Sequence, residues 1–95
     1  MTYTDNFHAQ YAAALRTFLD VGGQDILAVG YELGRRALQE QISMLDIIEH
    51  HVQLVFELSK DARIDAPVAL EFLLQTLAPL DVATRGFLDG TRRYA

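Results

Sequence analysis

The segment Ser43–Leu58, SMLDIIEHHVQLVFEL, carries the pattern that decides the fold class. Ser43 offers a helix-capping hydroxyl, and Asp46 follows three residues later, as in a weak capping box. Behind them, largely apolar side chains recur every three or four residues, which is the spacing of one helical face. The row consists of Met44, Ile47, Ile48, His51, Val55 and Leu58, broadened by Leu45, Val52 and Leu54. This segment is therefore predicted to be a helix.

The residues before this segment predict two more helices. Thr4, Asp5 and Asn6 offer capping side chains for the first, and Gly22-Gly23 ends it, because Gly adopts the left-handed conformation at low cost. The second is expected to run from Gln24 or Asp25 to about Gln41. The apolar row of the first helix is Phe7, Tyr11, Leu15 and Phe18, and the second carries Ile26, Val29, Leu33 and Ala37 beside Leu27, Tyr31 and Leu38.

Two glycines lie inside the predicted second helix. Gly30 and Gly34 are four residues apart and so share one face, where a neighbouring helix could approach closely. Each costs about 1 kcal/mol relative to Ala in a helix. Tight packing within one protomer is the favoured interpretation, and a dimer seam is the alternative.

A fourth helix is predicted after Asp65, whose carboxylate can cap it, with Pro67 tolerated in the first turn. Pro79 interrupts the apolar pattern, which then resumes, so a single helix kinked at Pro79 is expected. No strand pattern competes along the chain. The sequence thus predicts an all-α, four-helix bundle-like domain with antiparallel neighbours.

Composition narrows the class of protein. The chain has 95 residues, 51% of them hydrophobic, a formal net charge of −5 and no Cys. This length suits one domain, taken as residues 1–95, and the lack of Cys favours a reducing compartment. No apolar run approaches the roughly 20 residues that cross a bilayer. A cytoplasmic protein is predicted, with neither nucleic acid nor membrane as a partner, because both need a basic face.

Side chains that could perform catalysis are scarce. There is no Cys, and neither Ser43 nor Ser59 has a His within local reach that could activate it. The hydroxyl of Ser43 is explained by capping. No catalytic residue, cofactor or enzymatic activity is predicted for this chain.

His50 and His51 form the one pair that suggests a metal site. Adjacent helical residues diverge by about 100°, so both cannot face one ion, although Asp46 and His50 lie one turn apart. A metal site in a bundle usually draws ligands from facing helices, and none are evident here. The favoured interpretation places His51 in the core, bonded to a carbonyl or carboxylate, and leaves His50 exposed. No metal site is predicted.

Apolar residues exceed what one small core needs. The second helix carries two apolar rows, and the fourth is dense in Leu and Phe on more than one face. Helices of this kind are buried from both sides or meet a partner. A homodimer is therefore predicted.

Four stretches together resemble a known family. They are YELGRRAL at 31–38, QISMLDIIEHH at 41–51, EFLLQTLAPL at 71–80 and RGF at 85–87. Their order and spacing resemble the N-terminal domain of RsbU-type phosphoserine phosphatases, from about Phe7 to Phe87.

The resemblance implies a function. Members of this family are four-helix domains that dimerise ahead of a PP2C-type phosphatase or another output module and bind a switch protein of the RsbT kinase-like class. It also implies a partner-binding surface between the start of the second helix and the middle of the fourth. The matching positions are Gln24, Ala28, Leu74 and Ala78. A stand-alone dimerisation or adaptor module and a small-ligand sensor remain the alternatives.

Overall fold

The computed structural model describes the backbone of residues 2–94 and the side chains of residues 2–86. The chain forms four α-helices: α1 (Tyr3–Val21), α2 (Gln24–Gln39), α3 (Met44–Leu58) and α4 (Ala66–Tyr94). Residues 2–94 contain no β-strand. The prediction of an all-α domain with four helices is confirmed.

Two of the predicted helix caps are confirmed, and one is wrong. Ser43 Oγ accepts a hydrogen bond from the Asp46 amide at 3.0 Å, and Asp65 Oδ1 accepts one from the Val68 amide at 3.3 Å. The first helix, however, is capped by Thr2, whose Oγ1 accepts from the Asp5 amide at 3.1 Å. Thr2 reaches a free amide one turn earlier, so the predicted capping residues, 4–6, lie inside α1.

The end of α2 lies two residues before the predicted one. Gln41 adopts a φ of 59°, in the left-handed region, where a helix cannot continue. The Ile42 amide then donates to the Ala37 carbonyl at 2.8 Å, which reverses the chain. At the end of α1, Gly22 has a φ of 67° and donates to the Phe18 carbonyl at 2.8 Å, as a terminating glycine does.

The closest helix pair is α2 with α4, and its two glycines make it possible. A Cβ on Gly30 would lie 3.0 Å from the Phe72 ring, and one on Gly34 would overlap the carbonyl oxygen of Thr76. The glycine face is therefore packed within one protomer, and the alternative of a dimer seam at this strip is wrong.

The direction of this pair corrects part of the topology. Gly30 meets Phe72 and Thr76, while Gly34 meets Thr76 and Pro79, so α2 and α4 run parallel. In the described part of the chain, α2 and α3 do not pack against each other along their lengths. The prediction of antiparallel neighbours rested on the short connections between consecutive helices, and it did not foresee this parallel pair. The glycines let two non-consecutive helices come closer than consecutive ones.

Phe72 lies at the centre of the core. It is fully buried, and its ring centroid lies 5.3 Å from that of Tyr11 and 5.7 Å from that of Phe18. Aromatic rings at these separations attract each other beyond the area they bury. The other buried apolar residues are Phe7, Leu15, Leu27, Leu33, Ala37, Ile42, Ile47, Leu54, Ala69, Leu73 and Leu80.

The fourth helix is one continuous element through Pro79, as predicted. Pro79 is buried, and its Cδ lies 3.2 Å from the position of a Cβ on Gly34. The bend at Pro79 stays a prediction. Leu80 is the last buried residue of the apolar pattern on the described part of α4. Every residue from Val82 to Gly86 is exposed, and Val82 is 68% exposed.

The same helix is long and apolar enough to cross a membrane by length and composition. The window spans Ala66–Gly86 with a mean hydropathy of 1.3, although no apolar stretch of this length was expected. Core helices of soluble proteins pass the same test, and 39% of this window is buried inside the bundle. This single helix is insufficient to indicate a membrane protein.

Candidate functional site

The four predicted partner-binding residues lie at or near the surface of α2 and α4. Gln24 is exposed at the first position of α2, and Ala28 is exposed one turn later. On α4, Leu74 is 58% exposed and Ala78 is half-buried. Leu74 and Ala78 are four residues apart and share one face of α4.

The two pairs do not form a single groove. Ala28 lies two residues from Gly30, which is about 200° around the helix, so it points away from the contact with α4. Instead, Ala28 lines a groove between α1 and α2, and neither Leu74 nor Ala78 contributes to it. The predicted site residues therefore belong to two surfaces, one on α2 and one on α4.

The groove between α1 and α2, here called the α1–α2 groove, has a volume of about 640 Å³ and a mainly apolar lining. Small side chains form much of its wall, which leaves room for an inserted group. At one end, Arg36 donates a hydrogen bond to Gln10 Oε1 at 2.6 Å. The lining residues are Gln10, Ala13, Ala14, Thr17, Ile26, Ala28, Val29, Glu32, Leu33 and Arg36.

The α1 wall of this groove was not among the predicted site residues. Its signal was nevertheless visible, because the run Ala12-Ala13-Ala14 puts small side chains beside the apolar row of α1. Small residues allow another helix to approach closely, and a groove remains where no helix does so. The sequence could not show that α2 leaves the space beside these alanines open.

A polar seam joins α1 to α3. Asp46 Oδ2 lies 2.9 Å from His8 Nε2, and the rings of His8 and His50 stack with centroids 4.0 Å apart and planes 9° apart. His50 Nε2 donates to the His8 carbonyl at 3.2 Å, while the Tyr11 hydroxyl and His51 Nδ1 share a buried hydrogen bond of 2.7 Å. Together, these five residues form the histidine seam.

This seam corrects the expectations for the histidines. His51 is buried as predicted, but its partner is the hydroxyl of Tyr11 and not a carbonyl or carboxylate. His50 is half-buried instead of exposed, and Asp46 pairs with His8 instead of sharing an ion with His50. His8 lies 38 residues before Asp46, so no local spacing could have brought the two together.

Burial shifts the pKa values of three groups in the seam. It lowers the pKa of His50, which the neighbouring His8 lowers further, and it lowers the pKa of His51. It also raises the pKa of the Tyr11 hydroxyl above its usual range. Each shift disfavours the charged form, as expected for groups removed from water. Among the described residues, no group of three or more His, Cys, Asp or Glu is placed to hold a metal ion.

These features define a class of protein: an all-helical domain with an apolar groove between α1 and α2 and a polar histidine seam between α1 and α3. The family model described as "Phosphoserine phosphatase RsbU, N-terminal domain" matches residues 9–83. The chain belongs to this family, which is the regulatory part of the phosphatase and separate from its phosphatase domain. The resemblance inferred from the sequence motifs is thus confirmed. No curated protein and no solved structure gives a match.

Proposed function

We propose that this chain is a cytoplasmic input domain of a partner-switching system, which homodimerises and binds an RsbT-like switch kinase. Binding of that kinase would control a PP2C-type phosphatase or another output module. The observation that carries the proposal is the match of the RsbU N-terminal family over residues 9–83. A regulatory domain of such systems works through protein partners, so its chemistry is recognition.

The surfaces of α2 and α4 support this proposal. Leu74 holds a large apolar side chain in solvent on a rigid helix, and a residue of this kind can anchor a partner by entering a pocket on it. Gln24 and Ala28 lie on the outer side of α2, beside the α1–α2 groove. A groove with small, apolar walls can receive a projecting side chain or helix of a second protein.

The two helices that carry these surfaces pack directly against each other. Gly34 rests against the backbone of Thr76, so α2 and α4 are in close contact. A partner that docks on α2 therefore lies next to α4, whose described residues from Val82 to Gly86 are all exposed. Such a partner can bias two arrangements of α4 only by binding one of them more tightly.

Capture of the RsbT-like protein from the same genome tests the proposal. Leu74→Asp is expected to reduce capture at least tenfold, because a desolvated carboxylate would replace an apolar anchor. Leu38→Asp is the matched control, since Leu38 is also an exposed helical Leu, at 44%, but lies on α2 outside the proposed surface. Circular dichroism establishes that both variants stay helical.

Equal capture by the wild type and Leu74→Asp would remove Leu74 from the surface. No capture by the wild-type chain at all would contradict the proposed partner and leave a stand-alone dimerisation module.

The contribution of α2 is tested by filling the groove. Ala28→Trp puts a large ring at its edge, and it is expected to weaken capture while leaving the fold intact, because Ala28 is exposed. Ala83→Trp is the control, since Ala83 is an exposed Ala on α4, away from the α1–α2 groove. Unchanged capture by Ala28→Trp would exclude the groove from the docking surface.

A further inference from the structure

The helix α3 carries two apolar faces, and only one of them is used by the core. Ile47, His51 and Leu54 are buried against the other helices. On the other face, four large apolar side chains stay in solvent, and they are here called the α3 stripe. They are Leu45, Ile48, Val52 and Phe56, with exposed fractions of 73%, 37%, 61% and 65%.

The α3 stripe has the spacing of a helix-pairing seam. Leu45, Ile48 and Val52 are separated by three and then four residues, as at the a and d positions of a heptad, and Phe56 follows after another four. At 100° per residue the four side chains fall within an arc of about 80°. A narrow stripe of this kind is typical of a helix that packs lengthwise against one other helix.

No other helix of the same chain takes up this place in the described residues. The α1 side of α3 is marked by Asp46 and His50, which contact His8. The helix α2 does not pack along α3. The α4 side is marked by the pair Met44 and Leu80, which line a common depression. The stripe lies outside both contacts and remains open.

The area of the stripe suits a dimer. Its four side chains expose roughly 400 Å² together, since even the about 200 Å² of an aromatic side chain for each would give less than about 500 Å². A standard interface covers about 800 Å² on each partner, of which about 65% is apolar in homodimers. The stripe alone therefore supplies most of the apolar part of one side of such an interface, and it lies in the size range of the largest patches that monomers expose.

The border of the stripe favours a second copy of the chain as the occupant. Exposed Glu49, Glu57 and Lys60 lie beside the stripe, and the Lys60 ammonium lies 5.4 Å from the centroid of the Phe56 ring and 3.2 Å from Glu57 Oε1. This border thus carries both signs of charge next to an apolar centre. A second copy related by a two-fold axis offers the same mixture of charges and an identical stripe. A strongly basic or strongly acidic partner would instead place like charges opposite each other at part of the border.

We infer that the α3 stripe is the homodimer interface, with α3 of one protomer packed against α3 of its partner around a two-fold axis. The inference deepens the proposed function, because it rests on the dimerisation proposed there and assigns it to one surface. It also separates the two interfaces: α3 pairs the protomers, while Gln24, Ala28, Leu74 and Ala78 stay available for the switch protein.

Light scattering on the full chain tests the assignment. The wild type is expected to be a dimer, and Val52→Asp is expected to weaken dimerisation at least a hundredfold and give a helical monomer. Val82→Asp is the matched control: it makes the same substitution at an exposed helical Val, 68% exposed on α4, and is expected to remain a dimer.

Cross-linking supplies a second measurement that does not depend on the folding of Val52→Asp. The chain has no Cys, so one introduced Cys is its only thiol. Val52→Cys lies near the middle of the stripe and is expected to cross-link to its own copy with a short bismaleimide, since residues near a two-fold axis meet themselves. Val82→Cys is expected to stay uncross-linked.

The outcomes separate the inference from the proposed function. A dimeric Val52→Asp, or a Val52→Cys that fails to cross-link within a wild-type dimer, overturns the assignment of the seam and leaves dimerisation in place. A monomeric wild type contradicts both. If Val52→Asp is a dimer and loses capture of the RsbT-like protein, the stripe belongs to that partner and the inference is wrong.

Discussion

Replacement of Gly34 by Ala tests the packing that holds α2 against α4. The added Cβ would overlap the Thr76 carbonyl oxygen and would lie 2.9 Å from the Thr76 carbonyl carbon and 3.2 Å from Pro79 Cδ. Because two of these atoms belong to the backbone of a buried helix, no side chain can move aside to make room. The helices must separate along the most extensive contact in the domain.

The expected cost follows from two opposing terms. Overpacking of a close contact costs about 1–3 kcal/mol or more, and a backbone obstruction belongs at the upper end of that range. The higher helix propensity of Ala returns about 1 kcal/mol. Gly34→Ala should therefore lower the free energy of unfolding by about 2 kcal/mol, which is a fall of roughly 8–16 °C in the melting temperature of a domain of this size.

Two other glycines calibrate this measurement. A Cβ on Gly30 meets the ring of Phe72 at 3.0 Å, which is a contact with a side chain and not with backbone, so Gly30→Ala should cost less than Gly34→Ala. A Cβ on Gly86 meets nothing within 4 Å, so Gly86→Ala should gain up to about 1 kcal/mol. Thermal unfolding followed by circular dichroism at one protein concentration gives the order. A Gly34→Ala variant as stable as the wild type would refute the close parallel packing of α2 and α4.

Three further predictions concern the cap of α3 and the histidine seam. Ser43→Ala should lower the free energy of unfolding by about 1 kcal/mol in urea titrations, whereas Ser43→Thr should largely keep it. Tyr11→Phe should cost about 1–3 kcal/mol by leaving the buried His51 Nδ1 without its partner, and an unchanged stability would show that this hydrogen bond contributes nothing. Since burial lowers the pKa of His50 and His51 below 6.5, the unfolded chain binds protons that the folded chain does not. The contribution of the two neutral histidines to the free energy of unfolding is full above pH 6.5 and is lost as the pH falls. The free energy of unfolding should therefore decrease from pH 7 to pH 5, and it should decrease less in a variant in which His50 and His51 are both replaced by Gln.

The elements that the sequence predicted well have local signals. Ser43 and Asp46 lie within one turn, so the start of α3 follows from neighbouring residues, and the same holds for Asp65 at α4. The start of α1 was misplaced because Thr2 precedes several other residues that cap helices equally well. A capping residue of the right kind was expected near the start of the chain, but which residue caps the helix depends on where the folded backbone begins it.

The relations between helices were harder to predict. The parallel contact of α2 with α4 depends on Gly30 and Gly34 meeting Phe72 and Thr76, about forty residues away. The pairing of His8 with Asp46 spans 38 residues. The spacing of Gly30 and Gly34 predicted that some helix approaches closely. Which helix does so, and which residue pairs with Asp46, could not be read from local spacing, because both are decided only once the helices pack.

The exposed apolar surfaces were also predicted only in part. An apolar excess was visible on α2 and α4, but the α3 stripe was hidden, because its residues merge with the core row in the sequence pattern. Ile48 was assigned to the core row although it is 37% exposed, since a broad apolar arc does not reveal which edge meets the core. The exposure of Leu74 is compatible with the predicted partner surface, and its role stays a prediction.

Isothermal titration calorimetry of the chain with the RsbT-like protein of the same genome tests the central claim most directly. The account predicts a saturable heat with one switch protein bound per protomer, and a flat titration for Leu74→Asp. A flat titration of the folded wild-type chain, at concentrations of roughly 100 μM where even weak signalling complexes form, would contradict it.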